Sequence, residues 1–213
     1  MLVEIWSDVI CPWCYIGKRH FEHALARFDG RDDVDVIWRS FELDPHAPRE
    51  PIPLADRLAS KFNVSHAEAV AMNERMTETA SGVGLQFRLD KAISGNTLDA
   101  HRVIHLAASQ GLQAEADERI KESYFAEGRP ISDRESLIEL AASAGLDAGE
   151  TRAMLESDGF IDEVREDEQT AAAFGINGVP FFVFDRRLGV SGAQPPEVLL
   201  GALQEAAGEV PAA

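Results

Sequence analysis

The sequence predicts an α/β protein in which one sheet with flanking helices is assembled from both ends of the chain and interrupted by a large all-helical insertion. The first residues have a strand, helix, strand pattern, the last have a helix, strand, strand, helix pattern, and a long helical stretch separates them. Neither end has enough strands for a sheet of its own, so the two are expected to complete one together. Residues 1–45 and 160–213 then form one discontinuous domain, residues 54–159 an inserted helical domain, and residues 46–53 a proline-rich connection.

The composition is that of an ordinary globular protein with an excess of acidic residues. Hydrophobic residues make up 45% and charged residues 27% of the 213 positions, which is enough to bury a core without disulfide bonds. Asp and Glu number 37 against 20 Lys and Arg, and the resulting net charge of -17 repels polyanions. Nucleic acid and acidic membrane surfaces are therefore not expected as partners.

The amino terminus and the cysteine count bear on the cellular compartment. Residues 1–8 have no basic segment, no long apolar run and no small-residue cleavage site, and no stretch of the sequence is apolar enough to span a bilayer. A cytoplasmic location without membrane attachment is expected. In that reducing compartment, two close cysteines are more often catalytic, redox-sensing or metal-binding than a permanent bridge.

The elements at the two ends follow from β-branched and aromatic runs that are separated by polar turns. Strands are predicted at residues 2–7 and 34–41, on either side of a helix at residues 12–28 whose apolar side chains recur at helical spacing. The elements predicted near the carboxyl end are, in order, a helix at 160–174, strands at 181–184 and 189–191, and a closing helix at 195–207.

The stretch between the two ends is nearly all helical in pattern and is rich in alanine, leucine and charged residues. About five or six helices are expected in residues 54–159. Ser65 with Glu68, and Ser132 with Glu135, each fit a capping box, in which a serine and a glutamate three residues later bond to the first helical turn. These helices would form the inserted domain.

The only two cysteines of the chain stand in the motif CPWC, at residues 11–14. Pro12 suits a first helical turn, which places Cys11 at or just before a helix N-terminus. Free N–H groups and the helix dipole favour negative charge there, so they favour the thiolate, which is the nucleophile in disulfide exchange. Cys11 is predicted to attack a substrate disulfide, and Cys14, one turn further and more buried, to resolve the mixed disulfide.

A zinc half-site is the alternative for these cysteines, with His20 and His23 as the other ligands. Five residues separate Cys14 from His20 within one predicted helix, and this is far shorter than the spacing between the ligand pairs of a zinc finger. A bound metal is therefore not expected.

A CxxC between a first strand and a helix, with a Val-Pro pair far downstream just before a strand, is the pattern of a thioredoxin fold. With its helical insertion, the chain resembles the DsbA family of thiol-disulfide oxidoreductases, and in detail the FrnE-like branch of that family. The segments that carry the resemblance are Trp6-Ser7-Asp8, the CPWC motif, Tyr15-Ile16-Gly17, and residues 96–101 (NTLDAH), 175–182 (GINGVPFF) and 191–194 (SGAQ). The resemblance implies a mixed central sheet with flanking helices and a redox-active dithiol.

The same branch also resembles the kappa-class glutathione transferases and the 2-hydroxychromene-2-carboxylate isomerases, which usually carry serine at the position of Cys11. Cysteine at this position favours redox exchange over isomerisation. The alternatives left open are a glutathione-dependent isomerase or transferase that acts on a small, polyketide-like molecule, and a redox sensor or partner-binding module.

The expected partners are protein or small-molecule thiols and disulfides, and the chain is expected to be a monomer or a homodimer. No bound cofactor is expected, and glutathione is a candidate co-substrate. Residues 191–194, at the predicted start of the last helix, offer N–H groups that would hold a carboxylate such as one from glutathione. The physiological substrate, the electron donor and the direction of net electron flow stay open.

The resemblance also assigns substrate contacts on both sides of the dithiol. It implies a cis peptide bond before Pro180, with the backbone of Val179 exposed to an extended substrate; an ordinary trans proline that opens an edge strand is the alternative. Pro12 and Trp13 are further substrate-binding candidates. Trp13 stands where strongly oxidising members carry histidine, which predicts a reduction potential between the values of thioredoxin, about -270 mV, and DsbA, about -120 mV.

Three further candidates each have an ordinary structural alternative. Asp8, if buried, would raise the cysteine pKa values and accept a proton, whereas an exposed Asp8 would only turn the chain. Asn96 is a substrate-binding candidate, and its structural alternative is to cap the helix that carries His101. The resemblance places this segment over the active site, where His101 would hydrogen-bond a substrate or a bound thiol; core or surface packing is the alternative.

Overall fold

The computed structural model describes residues 1–208, and the chain divides into two compact units. The sheet unit contains Met1–Leu43 and Glu166–Ala213, of which residues 209–213 lie outside the described part. The helical unit contains Asp44–Arg165. The second division falls inside the helix Ile161–Ala173, whereas the sequence placed it just before that helix.

The secondary structure follows the predicted order, with boundaries shifted by a few residues. In chain order the elements are β1 (Leu2–Ser7), α1 (Pro12–Ala26), β2 (Asp35–Ser40), β3 (Ile52–Pro53), α2 (Leu54–Phe62), α3 (His66–Ser81), β4 (Ile93–Ser94), α4 (Leu98–Ser109), α5 (Gln113–Glu122), α6 (Arg134–Ser143), α7 (Ala148–Glu156), α8 (Ile161–Ala173), β5 (Phe181–Phe184), β6 (Leu188–Ser191) and α9 (Pro196–Ala206).

The sheet unit contains a mixed four-stranded sheet in the order β2, β1, β5, β6. β1 and β2 are parallel, and β5 runs antiparallel to both of its neighbours. In this register Ile5 lies opposite Trp38 on one side and Phe182 on the other. The two ends of the chain therefore complete one sheet, and the predicted thioredoxin fold with a mixed sheet and a helical insertion is confirmed.

Side chains of β1 alternate between the two faces of this sheet, as the strand pleat requires. Val3 and Ile5 belong to a buried cluster with α1 and α9, whose other members are Phe21, Ala24, Phe28, Trp38, Phe182, Phe184, Leu199, Ala202 and Leu203. Trp6 faces the other side, in a smaller cluster with Ala171, Ile176 and Val183. The sheet is thus covered on both faces, and the segment after β1 is held at one end of it.

A charged network lies on the Trp6 side of the sheet. Glu4 is fully buried in the middle of β1 and receives hydrogen bonds from Arg39 at 2.7 Å and from Arg186 at 2.7 Å. Arg39 also donates to Asp167 of α8 at 3.0 Å. The hydrogen bond from Arg186, aided by Arg39 and opposed by burial, holds the pKa of Glu4 below its usual value. The network joins β1, β2, α8 and the turn between β5 and β6.

The helical unit has six complete α-helices, α2 to α7, a π-helical turn at Ser123–Glu127, and the two-residue ladder of β3 and β4. The capping box of Ser65 and Glu68 at α3 is confirmed. The capping box predicted for Ser132 and Glu135 is wrong. α6 begins at Arg134, and the cap is Asp133, whose carboxylate accepts the N–H of Ser136 at 2.8 Å.

The side chains of two arginines link helices of this unit. Arg102 of α4 donates to the carboxylate of Asp99 at 2.7 Å and to the carbonyl oxygen of Met154 in α7 at 2.6 Å. Arg134 of α6 donates to the same carboxylate at 2.9 Å. Side-chain bonds of this kind link α4 with α6 and α7 where backbone bonds cannot.

Candidate redox site

The redox motif lies where β1 ends and α1 begins. Cys11 is the N-cap residue of α1, with an extended backbone (φ -84°, ψ 113°), and Pro12 occupies the first helical position. The N–H of Cys11 donates to the carbonyl of Asp8 at 3.1 Å, and the N–H of Cys14 donates to the carbonyl of Cys11 at 3.0 Å. The predicted position of Cys11 at a helix N-terminus is therefore the observed one.

The two cysteines are free thiols that lie 3.4 Å apart. Both are buried, Cys11 with 5% and Cys14 with 1% of its surface exposed. Cys11 is thus the more exposed cysteine, as expected, but only by a small margin. A substrate sulfur would have to approach a thiol that is largely shielded from solvent.

The surroundings of Cys11 lower its pKa below that of an ordinary thiol. The largest cause is the hydrogen bond from the side chain of Cys14, and backbone N–H groups of Cys14 and Trp13 act in the same direction. Burial raises the pKa, and so does the negative charge of Asp8. The balance favours the thiolate of Cys11, which is the form that attacks a disulfide.

The segment that precedes β5 lies directly against the dithiol. The sulfur of Cys11 is 3.8 Å from the carbonyl oxygen of Val179, and the Val179–Pro180 peptide bond is cis, the conformation that the resemblance implies. Val179 is partly exposed and Pro180 is buried. The carbonyl of Pro180 accepts the N–H of Gly192 at 2.8 Å. Residues separated by some 170 positions in the sequence therefore form one site.

Asp8 precedes the dithiol, and its carbonyl oxygen accepts the N–H of Cys11. It is fully buried, and its side chain accepts the backbone N–H of Leu43 at 2.8 Å. The alternative in which Asp8 is an exposed turn residue is wrong, because none of its surface is exposed. Its charge acts on the pKa of Cys11, as the sequence anticipated for a buried acid.

The other candidates of the CPWC motif lie at the surface. Trp13 is 46% exposed, and Pro12 is partly exposed. They place apolar surface beside the two buried cysteines, and their role in substrate binding stays a prediction.

Asn96 and His101 belong to the helical unit, and their proposed roles stay predictions. Asn96 is not the helix cap: Thr97 is the N-cap of α4, and the side chain of Asn96 accepts the N–H of Leu98 at 3.0 Å. The asparagine bonds to its own backbone two residues on, as asparagine does in turns. His101 is 2% exposed, which fits the alternative of core packing.

The SGAQ segment differs from the prediction. α9 begins at Pro196, so residues 191–194 precede the helix instead of opening it. The N–H of Gly192 donates to the carbonyl of Pro180, and the N–H of Gln194 donates to the carbonyl of Gly192, both at 2.8 Å. These two N–H groups are engaged by the chain itself, which removes the basis for the predicted carboxylate site.

Two buried residues of α1 that follow Cys14 had no role assigned from the sequence. Gly17 of α1 is buried against Pro180 and Ala193. Lys18 is 4% exposed, and its ammonium lies 5.0 Å from the ring centre of Trp38. The signals available were a glycine within a helical pattern and a lysine four residues after Cys14, on the same helix face.

Neither metal-ligand clusters nor membrane spans occur in the part of the chain that the structure describes. Within residues 1–208, no three His, Cys, Asp or Glu side chains are grouped so that they would hold a metal ion. His20, the first ligand of the zinc alternative, directs Nδ1 at the carbonyl of Gln194, 2.9 Å away. None of the described helices is both long and apolar enough to cross a membrane.

A dithiol at a helix N-terminus, faced by a Val-Pro segment at the start of a strand in a mixed sheet, defines the class of thioredoxin-like proteins. The chain belongs to the family of DSBA-like thioredoxin domains, which matches residues 2–204. The predicted membership of the DsbA family is thereby confirmed.

Three individual proteins are similar to this chain. A probable DsbA oxidoreductase from Streptomyces coelicolor is 46% identical, with a TM-score of 0.93, over 100% of this chain and 92% of that chain. The uncharacterized protein YwbO of Bacillus subtilis is 29% identical over 85% of both chains. The cytosolic disulfide reductase DsbM from Pseudomonas aeruginosa, solved with GSH, is 20% identical, with a TM-score of 0.63, over 96% of this chain and 98% of that chain. The last likeness shows the fold alone.

Proposed function

We propose that this chain is a thiol-disulfide oxidoreductase that cycles Cys11 and Cys14 between a dithiol and a disulfide. The observation that carries the proposal is the pair of free thiols 3.4 Å apart at the N-terminus of α1, with a hydrogen bond from Cys14 that lowers the pKa of Cys11. Membership of the DSBA-like family and the likeness to a probable DsbA oxidoreductase support it.

In the first step the thiolate of Cys11 attacks one sulfur of a substrate disulfide. A bond forms between Cys11 and that sulfur, the substrate S–S bond breaks, and the second substrate sulfur leaves as a thiolate that takes up a proton. The hydrogen bond from Cys14 is suited to this step, because it stabilises the attacking anion until the new bond forms.

In the second step Cys14 loses its proton and attacks Cys11 in the mixed disulfide. The Cys11–Cys14 bond forms, the first substrate sulfur leaves as a thiolate that takes up a second proton, and the substrate has gained two electrons and two protons in total. Asp8 is our candidate for the proton acceptor, because it is buried at the end of β1 and its charge is felt at Cys11. The reverse sequence oxidises a substrate dithiol by the same bonds.

The backbone of Val179 is the proposed docking edge for the substrate. It lies within 3.8 Å of the attacking sulfur, so an extended segment paired with it would bring its own disulfide to Cys11. Pro12 and Trp13 would contact the same substrate from the other side. A site of this kind accepts disulfides in proteins and in small molecules.

Glutathione is the proposed co-substrate, and a cytoplasmic location fits it. DsbM, which has the same fold, is described as cytosolic and was solved with GSH. These two properties of DsbM support both proposals. The potential predicted from Trp13, the role of His101, and a monomeric or homodimeric state stay predictions.

The alternative function is a glutathione-dependent isomerase or transferase, and a Cys14→Ser variant separates the two. An oxidoreductase with this change should complete the first step and stop, so that substrate is held on Cys11 as a stable mixed disulfide. Mass spectrometry of the intact protein would show one substrate adduct per chain. An isomerase should be nearly indifferent to the change.

The matched control is Cys11→Ser, which should trap nothing, because the attacking sulfur is absent. Rapid and complete turnover of a small substrate by Cys14→Ser, without an adduct, would overturn the proposal in favour of the isomerase.

A further inference from the structure

Gly17 occupies an unusual position in α1. It is buried in the interior of the helix, three residues after Cys14, where glycine costs about 1 kcal/mol relative to alanine. A Cβ at this position would lie 2.9 Å from Cγ of Pro180 and 3.4 Å from Cβ of Ala193. The first distance is shorter than carbon atoms tolerate, so only glycine allows α1 and the segment before β5 to pack this closely.

The segment that packs on Gly17 also contacts the reactive sulfur. Pro180 is bonded to Val179, whose carbonyl oxygen is 3.8 Å from the sulfur of Cys11. The Pro180 ring is not a flexible chain end that swings aside. Added bulk at position 17 would therefore displace the backbone of Val179 from Cys11, or shift the helix that carries Cys11.

This spacing does not affect all substrates equally. A disulfide within an extended peptide must meet two conditions at once, because its backbone lies along Val179 while its sulfur reaches Cys11. A small disulfide has only the second condition to meet. An error in the spacing should therefore slow the first reaction and spare the second.

We propose that Gly17 is a positioning residue that sets the distance between the Val179–Pro180 segment and the Cys11–Cys14 pair, and that this distance selects disulfides carried on extended peptides over small disulfides. The inference rests on the proposed thiol-disulfide exchange and adds a substrate class to it. The bonds made and broken at Cys11 and Cys14 stay the same for both kinds of substrate.

The test is Gly17→Ala, with Gly201→Ala in α9 as the matched control. Both are glycines within helices, but a Cβ at Gly201 meets no atom within 4 Å. The measurement is the second-order rate constant for oxidation of the reduced protein by a peptide disulfide and by dithiobis(2-nitrobenzoate). At a pH well above the pKa of Cys11, where the thiolate is fully formed in both proteins, we expect Gly17→Ala to slow the peptide reaction by about tenfold or more and to leave the small-disulfide reaction within about twofold. Gly201→Ala should leave both rates unchanged.

A second readout is the pKa of Cys11, followed by the thiolate absorbance in the ultraviolet. The carbonyl of Val179 accepts a hydrogen bond from the thiol form of Cys11, which favours that form. If the carbonyl recedes in Gly17→Ala, the pKa of Cys11 should fall. A role limited to packing would leave it unchanged.

A compensating variant covers the case in which Gly17→Ala folds poorly. Gly17→Ala with Ala193→Gly removes the 3.4 Å contact with Cβ of Ala193 and leaves the ordinary 3.5 Å contact with its Cα, so residue 17 gains a little room on the side away from Pro180. It should regain part of the peptide rate.

Unchanged rates in folded Gly17→Ala, equal losses with both disulfides, or no recovery in the folded double variant would overturn the inference. Failure of the proposed function itself has another signature, namely a wild-type protein that reacts with neither disulfide.

Discussion

Two buried carboxylates near the start of the chain act differently on the groups around them. One binds two arginines, and the other raises the pKa of a thiol. Glu4, in the middle of β1, and Asp8, just after its end, are both fully buried. Glu4 is bonded to the guanidinium groups of Arg39 and Arg186, which hold its pKa low. Asp8 accepts a backbone N–H and lies next to the redox motif, where its charge raises the pKa of Cys11.

The difference shows that a residue in β1 stabilises the fold, whereas a residue just after β1 affects the chemistry of the dithiol. A buried carboxylate that is matched by arginines ties together the elements that those arginines come from, and its loss should be felt as stability. A buried carboxylate beside a thiol makes the thiolate harder to form, and its loss should be felt as a change in reactivity. Three predictions test this division.

The largest effect is expected for Glu4→Gln. The amide cannot neutralise two guanidinium groups, and the breaking of a buried ion pair is costly, so we expect a loss of about 2 kcal/mol in the free energy of unfolding. Urea denaturation would measure it. The matched control is Glu197→Gln, which removes an exposed carboxylate from Arg27 and should cost close to nothing.

Disulfide exchange by folded Glu4→Gln should proceed at the wild-type rate. Equal stability of the two glutamate variants would show that the network on β1 contributes nothing, and a large change in exchange rate would remove the contrast with Asp8.

The next effect is a pH dependence of stability. Because the pKa of Glu4 is lower in the folded protein than in the unfolded chain, its contribution is fully present above the unfolded value of about 4.3 and is lost as the pH falls through the folded value. The gap in unfolding free energy between wild type and Glu4→Gln should therefore be constant at neutral pH and shrink in acid. A gap that widens in acid would contradict the sign of the pKa shift.

The smallest effect on stability, with a specific effect on chemistry, is expected for Asp8→Asn. The amide oxygen still accepts the N–H of Leu43, but the negative charge is gone, so the pKa of Cys11 should fall. Thiolate absorbance against pH would show the change, and the first exchange step should become severalfold faster at mildly acidic pH.

The same variant tests Asp8 as the proton acceptor for Cys14. If Asp8 has that role, the mixed disulfide should persist longer in Asp8→Asn even though it forms faster. An unchanged or raised pKa of Cys11, or an unchanged lifetime of the mixed disulfide, would each remove one of the two roles.

Much of the fold was predictable because the signals are local. Proline after a cysteine, apolar spacing and capping serines mark where α1 and α3 begin, and these features depend on a few neighbouring residues. Where two local signals compete, the prediction failed: Asp133 caps α6 although Ser132 also fits the pattern. Which of two adjacent residues is the cap depends on where the helix begins, and a local pattern does not fix that start to a single residue.

Of the candidate site, only the CPWC motif was predictable from a local sequence pattern. The CPWC motif is visible in the sequence, whereas Val179 was found through a resemblance and not through any local pattern. The burial of Asp8 and the close packing of Gly17 could not be predicted, because Asp8 is bonded to the distant backbone of Leu43 and Gly17 is packed by Pro180 and Ala193. Burial and close approach are properties of contacts between distant segments.

The sequence by itself determined that two cysteines stand at a helix N-terminus, because proline and periodicity act within one turn. It also determined that the two ends of the chain share a sheet, because neither has enough strands alone. Only the tertiary structure decided which buried charge is compensated and which one acts on a thiol. That outcome depends on which side chains from β2, the β5–β6 turn and the α1 N-terminus reach each carboxylate, and charge interactions fall with distances that the sequence does not contain.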